Sequence, residues 1–165
     1  MIKRLCIIGV GLIGGSLARA LRGAGACGEI VGAGRNPDHL QQAVDLGVID
    51  RYATDIAAAV QGADMVFVSV PLGSMAAVFS AMKDTLATNA VLTDGGSAKA
   101  SVIAAAEQAF GQVPDFFVPG HPIAGIEQSG VAAAIADLYR ERRVILTPQA
   151  HTDSGAVTRV RQMWE

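Results

Sequence analysis

The sequence predicts an α/β fold in which helices cover both faces of a doubly wound, mostly parallel sheet. Three observations lead there. Short apolar runs alternate with Ala-rich segments of helical length, the pattern of repeated βαβ units. Those runs are continuous instead of alternating, as expected of strands buried on both faces. Gly accounts for 19 of 165 residues, charged residues for 17% and hydrophobic ones for 51%, which suits closely approaching backbones and excludes a disordered chain.

Taken in order, strands are expected near Arg4–Ile8, Ile30–Ala33, Met65–Val70, Ala90–Thr93, Phe116–Val118 and Val144–Leu146. Helices are expected near Leu12–Gly23, Asp38–Leu46, Ser74–Leu86, Ala98–Phe110, Gly130–Ala136 and Asp153–Trp164. Asp38 and Ser97 fit helix N-caps, whereas Gly23, Gly47 and Gly111 fit helix ends. The uncharged stretch Met65–Met82 is about long enough to span a bilayer. Pro71 and Gly73 interrupt it and Ser69, Ser74 and Ser80 load it with hydroxyls, so it reads better as a buried strand followed by a helix. Pro119–Gly130 is too irregular for helix or strand and is expected to be a loop. No repeat, linker or shift in composition marks a second domain.

Composition also restricts the partners. A net charge of −2 with no Lys/Arg-rich run removes the electrostatic basis for binding nucleic acid or an anionic membrane, leaving a small molecule as the expected partner. Cys6 and Cys27 have neither metal-ligand spacing nor enough company for a disulfide framework. Both are expected to be reduced thiols in a cytoplasmic protein. The start imitates a signal peptide, since Lys3-Arg4 precedes the uncharged stretch Leu5–Ala18, and Ala24–Cys27 faintly suggests a cleavage site. Glycines at 9, 11, 14 and 15 are poor for a helical signal segment and have a better explanation in phosphate chemistry.

Gly9-Val10-Gly11-Leu12-Ile13-Gly14 is G-x-G-x-x-G between the first expected strand and the first expected helix, the context in which the motif carries information. The first glycine permits the tight turn, the second admits a dinucleotide pyrophosphate and the third lets helix and strand pack closely. The N–H groups of Leu12 and Ile13 would then meet the phosphate. The alternative is a glycine-rich turn that binds nothing. An NAD-preferring domain of this Rossmann type usually carries Asp or Glu at the end of the second strand. Here Gly34 takes that position, followed by Arg35 and Asn36. Arg35 suits a 2′-phosphate through charge-assisted hydrogen bonds, so NADP, or both cofactors, is expected over strict NAD. Arg35 stacking on adenine or standing free in solvent remains the competing reading.

Ligands of doubly wound sheets lie beyond the carboxyl ends of the strands. Val70 and Pro71 follow one strand there, Pro71 serving either as a wall beside the nicotinamide or as a helix N-terminal proline. Ser97 and Lys99 follow the next, with Ser97 as a hydroxyl at the rim, a plain N-cap, or both. His121 lies between Gly120 and Pro122 after a further strand. His39, in a polar helix, and His151, in a polar tail, read as solvated. A base that accepts a hydroxyl proton while hydride leaves the same carbon makes His121 part of a coherent dehydrogenase.

Three segments together resemble the prephenate/arogenate dehydrogenase family of tyrosine biosynthesis: Gly9–Ala18, Thr93–Lys99 and Gly120–Gly130, the last being the specific one. Val144–Pro148 is similar to the family's last Rossmann strand. The likeness implies oxidative decarboxylation of prephenate or arogenate with NAD(P). It implies that His121 takes the ring-hydroxyl proton, that Ser97 orients hydroxyl and imidazole, and that Gly125, Glu127 and Lys99 lie near the substrate. Ile126 and Gly96 depart from the family's usual residues. The resemblance further implies a helical C-terminal domain that forms a homodimer and supplies an arginine for the substrate carboxylate. Nothing in these 165 residues matches it, so residues 1–165 are expected to be a dinucleotide-binding domain truncated at its C-terminal end, with little turnover. Competing readings are a β-hydroxyacid type dehydrogenase, which shares the first motif only, and a non-catalytic dinucleotide-sensing module. Short-chain dehydrogenases are disfavoured, because neither Tyr52 nor Tyr139 is followed four residues later by Lys.

Overall fold

A computed structural model describes residues 1–165. Its strands are β1 (Ile2–Ile8), β2 (Cys27–Ala33), β3 (Arg51–Ala53), β4 (Met65–Val68), β5 (Val91–Asp94), β6 (Phe117–Val118), β7 (Gly120–Pro122) and β8 (Val144–Leu146). Its helices are α1 (Leu12–Gly23), α2 (Pro37–Asp45), α3 (Ile56–Val60), α4 (Met75–Met82), α5 (Lys99–Phe110) and α6 (Ser154–Trp164), with single 3₁₀ turns at Leu72–Ser74 and Val131–Ala133. None of the helices is long and apolar enough to cross a membrane.

Six strands form one sheet in the order β3-β2-β1-β4-β5-β6, every pair parallel. The order reverses between β1 and β4, which opens a crevice at their carboxyl ends. Side chains alternate across the sheet. Cys6 and Ile8 of β1, with Val66 and Val68 of β4, pack under α3, α4 and α5. Leu5, Ile7, Met65 and Phe67 pack under α1, α2 and α6 on the other face. Strands buried on both faces are why these runs carry no alternation in sequence.

Several expectations need correction. β3 and α3 escape notice because three- and five-residue elements are too short to show a period. The helix expected at Gly130–Ala136 is one 3₁₀ turn. Asn36, not Asp38, caps α2: its side chain accepts from the N–H groups of Asp38 and His39. Ala98 occupies the N-cap of α5, so Ser97 is no cap. Val144–Leu146 stands outside the parallel sheet. It pairs antiparallel with β7, inside the segment expected to be loop, with His121 opposite Ile145. Pro119 follows β6 directly and has no N–H for a ladder, so the parallel sheet ends there and β7–β8 forms a separate ribbon.

Candidate active site

The glycine turn between β1 and α1 separates what packing demands from what it does not. Gly9 has φ +90°, and a Cβ there would lie 2.6 Å from the Ser69 carbonyl oxygen. At Gly14 a Cβ would meet the Gly9 carbonyl oxygen at 2.6 Å and Ile7 Cγ2 at 2.7 Å. Ser69 Oγ donates to that same Gly9 carbonyl at 2.7 Å. At Gly11, the extended N-cap residue of α1, an added Cβ meets no atom within 4 Å. Two glycines are therefore fixed by the chain's own packing, and the middle one opens onto empty space. Gly15 N–H is the first at this helix start to find a backbone acceptor, Gly11 O at 2.8 Å; the amides of Leu12, Ile13 and Gly14 precede it. Unpaired amides beside an open Cβ position suit a phosphate.

A cavity lies on each side of this helix start. One, of about 770 Å³, is lined by Val10, Gly11, Gly34, Arg35, Asn36 and His39. The other, of about 430 Å³, is lined by Ile13, Val70, Pro71, Ser97, His121 and their neighbours. These two compartments adjoin the glycine turn, the first through Val10 and Gly11 and the second through Ile13.

The first compartment contains no carboxylate at the end of β2. Glu29, the one acid on that strand, lies toward its other end and is paired with Arg4 and Arg51, and the hydrogen bond from Arg51 is the main cause holding its carboxyl below the usual range. Arg35 is exposed and has no acidic partner. Asn36 lines the compartment, but its side-chain oxygen is occupied in capping α2.

In the second compartment the β7–β8 ribbon presents the half-buried His121, and the turn after β5 presents the exposed Ser97. Between them lies a buried ion pair. Asp94, the last residue of β5, is fully buried and accepts from the Lys99 ammonium. Asp94 Oδ2 also accepts from Gly96 N (2.8 Å) and Oδ1 from Gly120 N (3.1 Å), while Lys99 Nζ donates to Gly120 O (2.6 Å). Burial raises the Asp94 carboxyl and lowers the Lys99 ammonium from their ordinary values, because desolvation opposes either charge; their mutual attraction acts the other way.

The sequence matches the family model described as the prephenate dehydrogenase nucleotide-binding domain over residues 17–165. The chain belongs to the prephenate dehydrogenase family. It is 36% identical to the cyclohexadienyl dehydrogenase of Zymomonas mobilis over 168 residues, covering 99% of this chain and 55% of that protein. Among solved structures it resembles prephenate dehydrogenase from A. aeolicus in complex with hydroxyphenyl propionate and NAD+ (TM-score 0.90, 36% identity, 99% of this chain and 57% of that one). It also resembles Synechocystis arogenate dehydrogenase (TM-score 0.86, 28% identity, 97% and 55%). The chain thus spans about half the length of the relatives it matches.

Within this prephenate dehydrogenase family member, Gly11, Ile13, Arg35, Asn36, Val70, Pro71, Ser97 and His121 line the two compartments. Leu12 lines neither and contributes an amide at the helix start. Gly125 and Glu127 stand exposed in the loop after β7 and line neither. Lys99 does not line the second compartment either, since its ammonium is committed to Asp94 and Gly120. Sequence reasoning missed the role of Asp94, although a carboxylate closing the strand-like run Val91-Leu92-Thr93 was a usable signal. It also missed Tyr139, whose hydroxyl donates to Ile13 O at 2.6 Å; that contact spans 126 residues and leaves no local trace. Burial pushes the Tyr139 phenol well above its usual range.

Proposed function

We propose that this chain is the dinucleotide-binding part of an enzyme that oxidatively decarboxylates prephenate or arogenate, giving 4-hydroxyphenylpyruvate or tyrosine with carbon dioxide. The observation that carries it is the open N-cap position at Gly11, flanked by one cavity that holds Arg35 and another that holds His121 and Ser97 together. When bound, NAD(P)+ supplies the hydride acceptor. His121 accepts the ring-hydroxyl proton as the C–H bond on the same carbon breaks. Ser97 holds that hydroxyl toward the imidazole, and Val70 and Pro71 wall the space where the nicotinamide lies. Loss of the ring carboxylate as carbon dioxide leaves its bonding electrons in an aromatic ring, whose oxygen takes back a proton to give the phenol; aromatisation makes the step effectively irreversible.

NADP, or both cofactors, is favoured over strict NAD because Arg35 is unpaired and no carboxylate repels a 2′-phosphate. The chain spans about half the length of its relatives, which supports the further reading that substrate contacts and a homodimer interface come from additional helical structure and that the 165 residues alone bind dinucleotide with little turnover. Steady-state NAD(P)H formation with prephenate and with arogenate, each with both cofactors, tests this on the chain and on a version extended beyond Glu165. Turnover of either ring substrate by the extended version supports the proposal; ordinary activity of the 165-residue chain, or none in the extended version, contradicts it.

A further inference from the structure

The Asp94–Lys99 pair reaches both groups proposed to act on the substrate without touching either. Asp94 bonds the amide of Gly96, the residue before Ser97, and the amide of Gly120, the residue before His121. Lys99 takes the Gly120 carbonyl, which belongs to the peptide that leads into His121. Both polar backbone groups of Gly120 are thus held by one ion pair. Neither glycine has room for a side chain: a Cβ at Gly96 would lie 2.9 Å from Asp94 Oδ2, and one at Gly120 would lie 2.9 Å from the Asp94 carbonyl oxygen.

The cost of the arrangement argues that it does more than stabilise. Burying a carboxylate and an ammonium together roughly breaks even at best against apolar residues of similar volume. What it supplies here is direction. β7 belongs to a ribbon outside the main sheet, so the position of His121 is not set by the parallel ladder. A buried carboxylate at the end of β5 ties that ribbon to the sheet at the residue beside the imidazole.

We infer that Asp94 and Lys99 are positioning residues that aim His121 and Ser97 into the shared cavity by gripping the peptide groups of Gly120 and Gly96. This rests on the proposed roles of His121 and Ser97, but its first test does not depend on activity. Two neutral replacements of the pair are compared in the labelled 165-residue chain. Asp94→Asn with Lys99→Gln retains a donor for the Gly120 carbonyl; Asp94→Asn with Lys99→Met removes it. NMR signals of the His121 ring and of the His121 and Ser97 amides are followed, with the ring titrated against pH. The Gln pair, in which Asp94→Asn keeps an oxygen for the Gly120 amide and gives up the acceptor for the Gly96 amide, is expected to keep the wild-type His121 signals and to shift the Ser97 amide. The Met pair is expected to shift or broaden the His121 signals as well and to move the ring titration, while amides of β1, β2 and β4 stay put. In the extended enzyme the Met pair should lower kcat at least about tenfold with the dinucleotide KM unchanged, and the Gln pair should recover part of that loss. Identical His121 signals in both pairs would overturn the inference. So would loss of cooperative melting in the Met pair alone, which would make the ion pair a support of the whole fold.

Discussion

Replacing the three motif glycines by alanine separates packing from ligand binding. At Gly14 the added methyl would stand 2.6 Å from a backbone oxygen that has nowhere to move. Overpacking of that kind costs about 3 kcal/mol, and the better helix propensity of alanine returns about 1 kcal/mol. The net, about 2 kcal/mol, lowers the melting temperature by roughly 4–8 °C for a chain of this size. At Gly11 the methyl meets nothing and φ is −103°, so alanine strains nothing. Its poorer capping and its smaller unfolded-state entropy nearly cancel, leaving stability within about 1 kcal/mol of wild type. That methyl nevertheless stands where the phosphate must approach, and losing even one charge-assisted hydrogen bond costs about 1.5–3 kcal/mol, or roughly 10–100-fold in affinity. Thermal melts with and without dinucleotide, backed by calorimetric titration, read both quantities. Wild type at 100 times its Kd gains about 2.7 kcal/mol; Gly11→Ala should keep the unliganded melt and lose about half or more of that gain at the same concentration. Unimpaired dinucleotide binding by Gly11→Ala, or an unliganded melt as low as that of Gly14→Ala, would refute this account of the turn.

Three further outcomes are expected. Arg35→Ala should weaken NADP+ by about tenfold or more in calorimetry and leave NAD+ nearly unchanged, as a charge-assisted contact to a 2′-phosphate requires; equal effects on both would assign Arg35 to adenine or to solvent. Glu29 has its carboxyl held below the unfolded value by Arg51 and Arg4. It therefore adds stability above the unfolded value of about 4.5, and that contribution fades as pH falls through the lower folded value. Glu29→Gln should cost less than about 1 kcal/mol near neutrality, because these side chains are about a third to a half exposed, and the deficit should vanish in strongly acidic urea titrations. Tyr139→Phe removes the donor to Ile13 O and should cost about 0.5–1.5 kcal/mol in chemical denaturation while weakening dinucleotide binding; unchanged stability would show that this contact does not hold the helix start.

The parallel sheet and the glycine turn were legible because their physics is local. A strand buried on both faces must be a run such as Leu5-Cys6-Ile7-Ile8, and a phosphate turn must place its glycines at fixed offsets from strand and helix. His121 and Ser97 were legible as chemistry at the rim, and the structure puts them in one cavity. What supports them was not. Asp94, Gly120 and Lys99 meet across 26 residues through backbone groups, which have no residue code to read. The β7–β8 ribbon was hidden for a related reason: His121 lies between two prolines, a context that argues for loop, and its antiparallel partner lies 24 residues away in a run that resembles an ordinary parallel strand. Lys99 was legible only as a cation near the rim, and its bonds to Asp94 and Gly120 were not. Its ammonium is spent inside the protein.

The proposed function requires that His121 do the acid–base chemistry while other residues hold the dinucleotide. His121→Asn in the extended enzyme tests it most directly, with steady-state turnover and dinucleotide Kd measured on the same preparation. A fall in kcat of about 10²–10⁴-fold, the usual worth of a positioned base, is expected with Kd unchanged. Turnover that survives the substitution would contradict it and would return the chain to a dinucleotide sensor or to another catalytic centre.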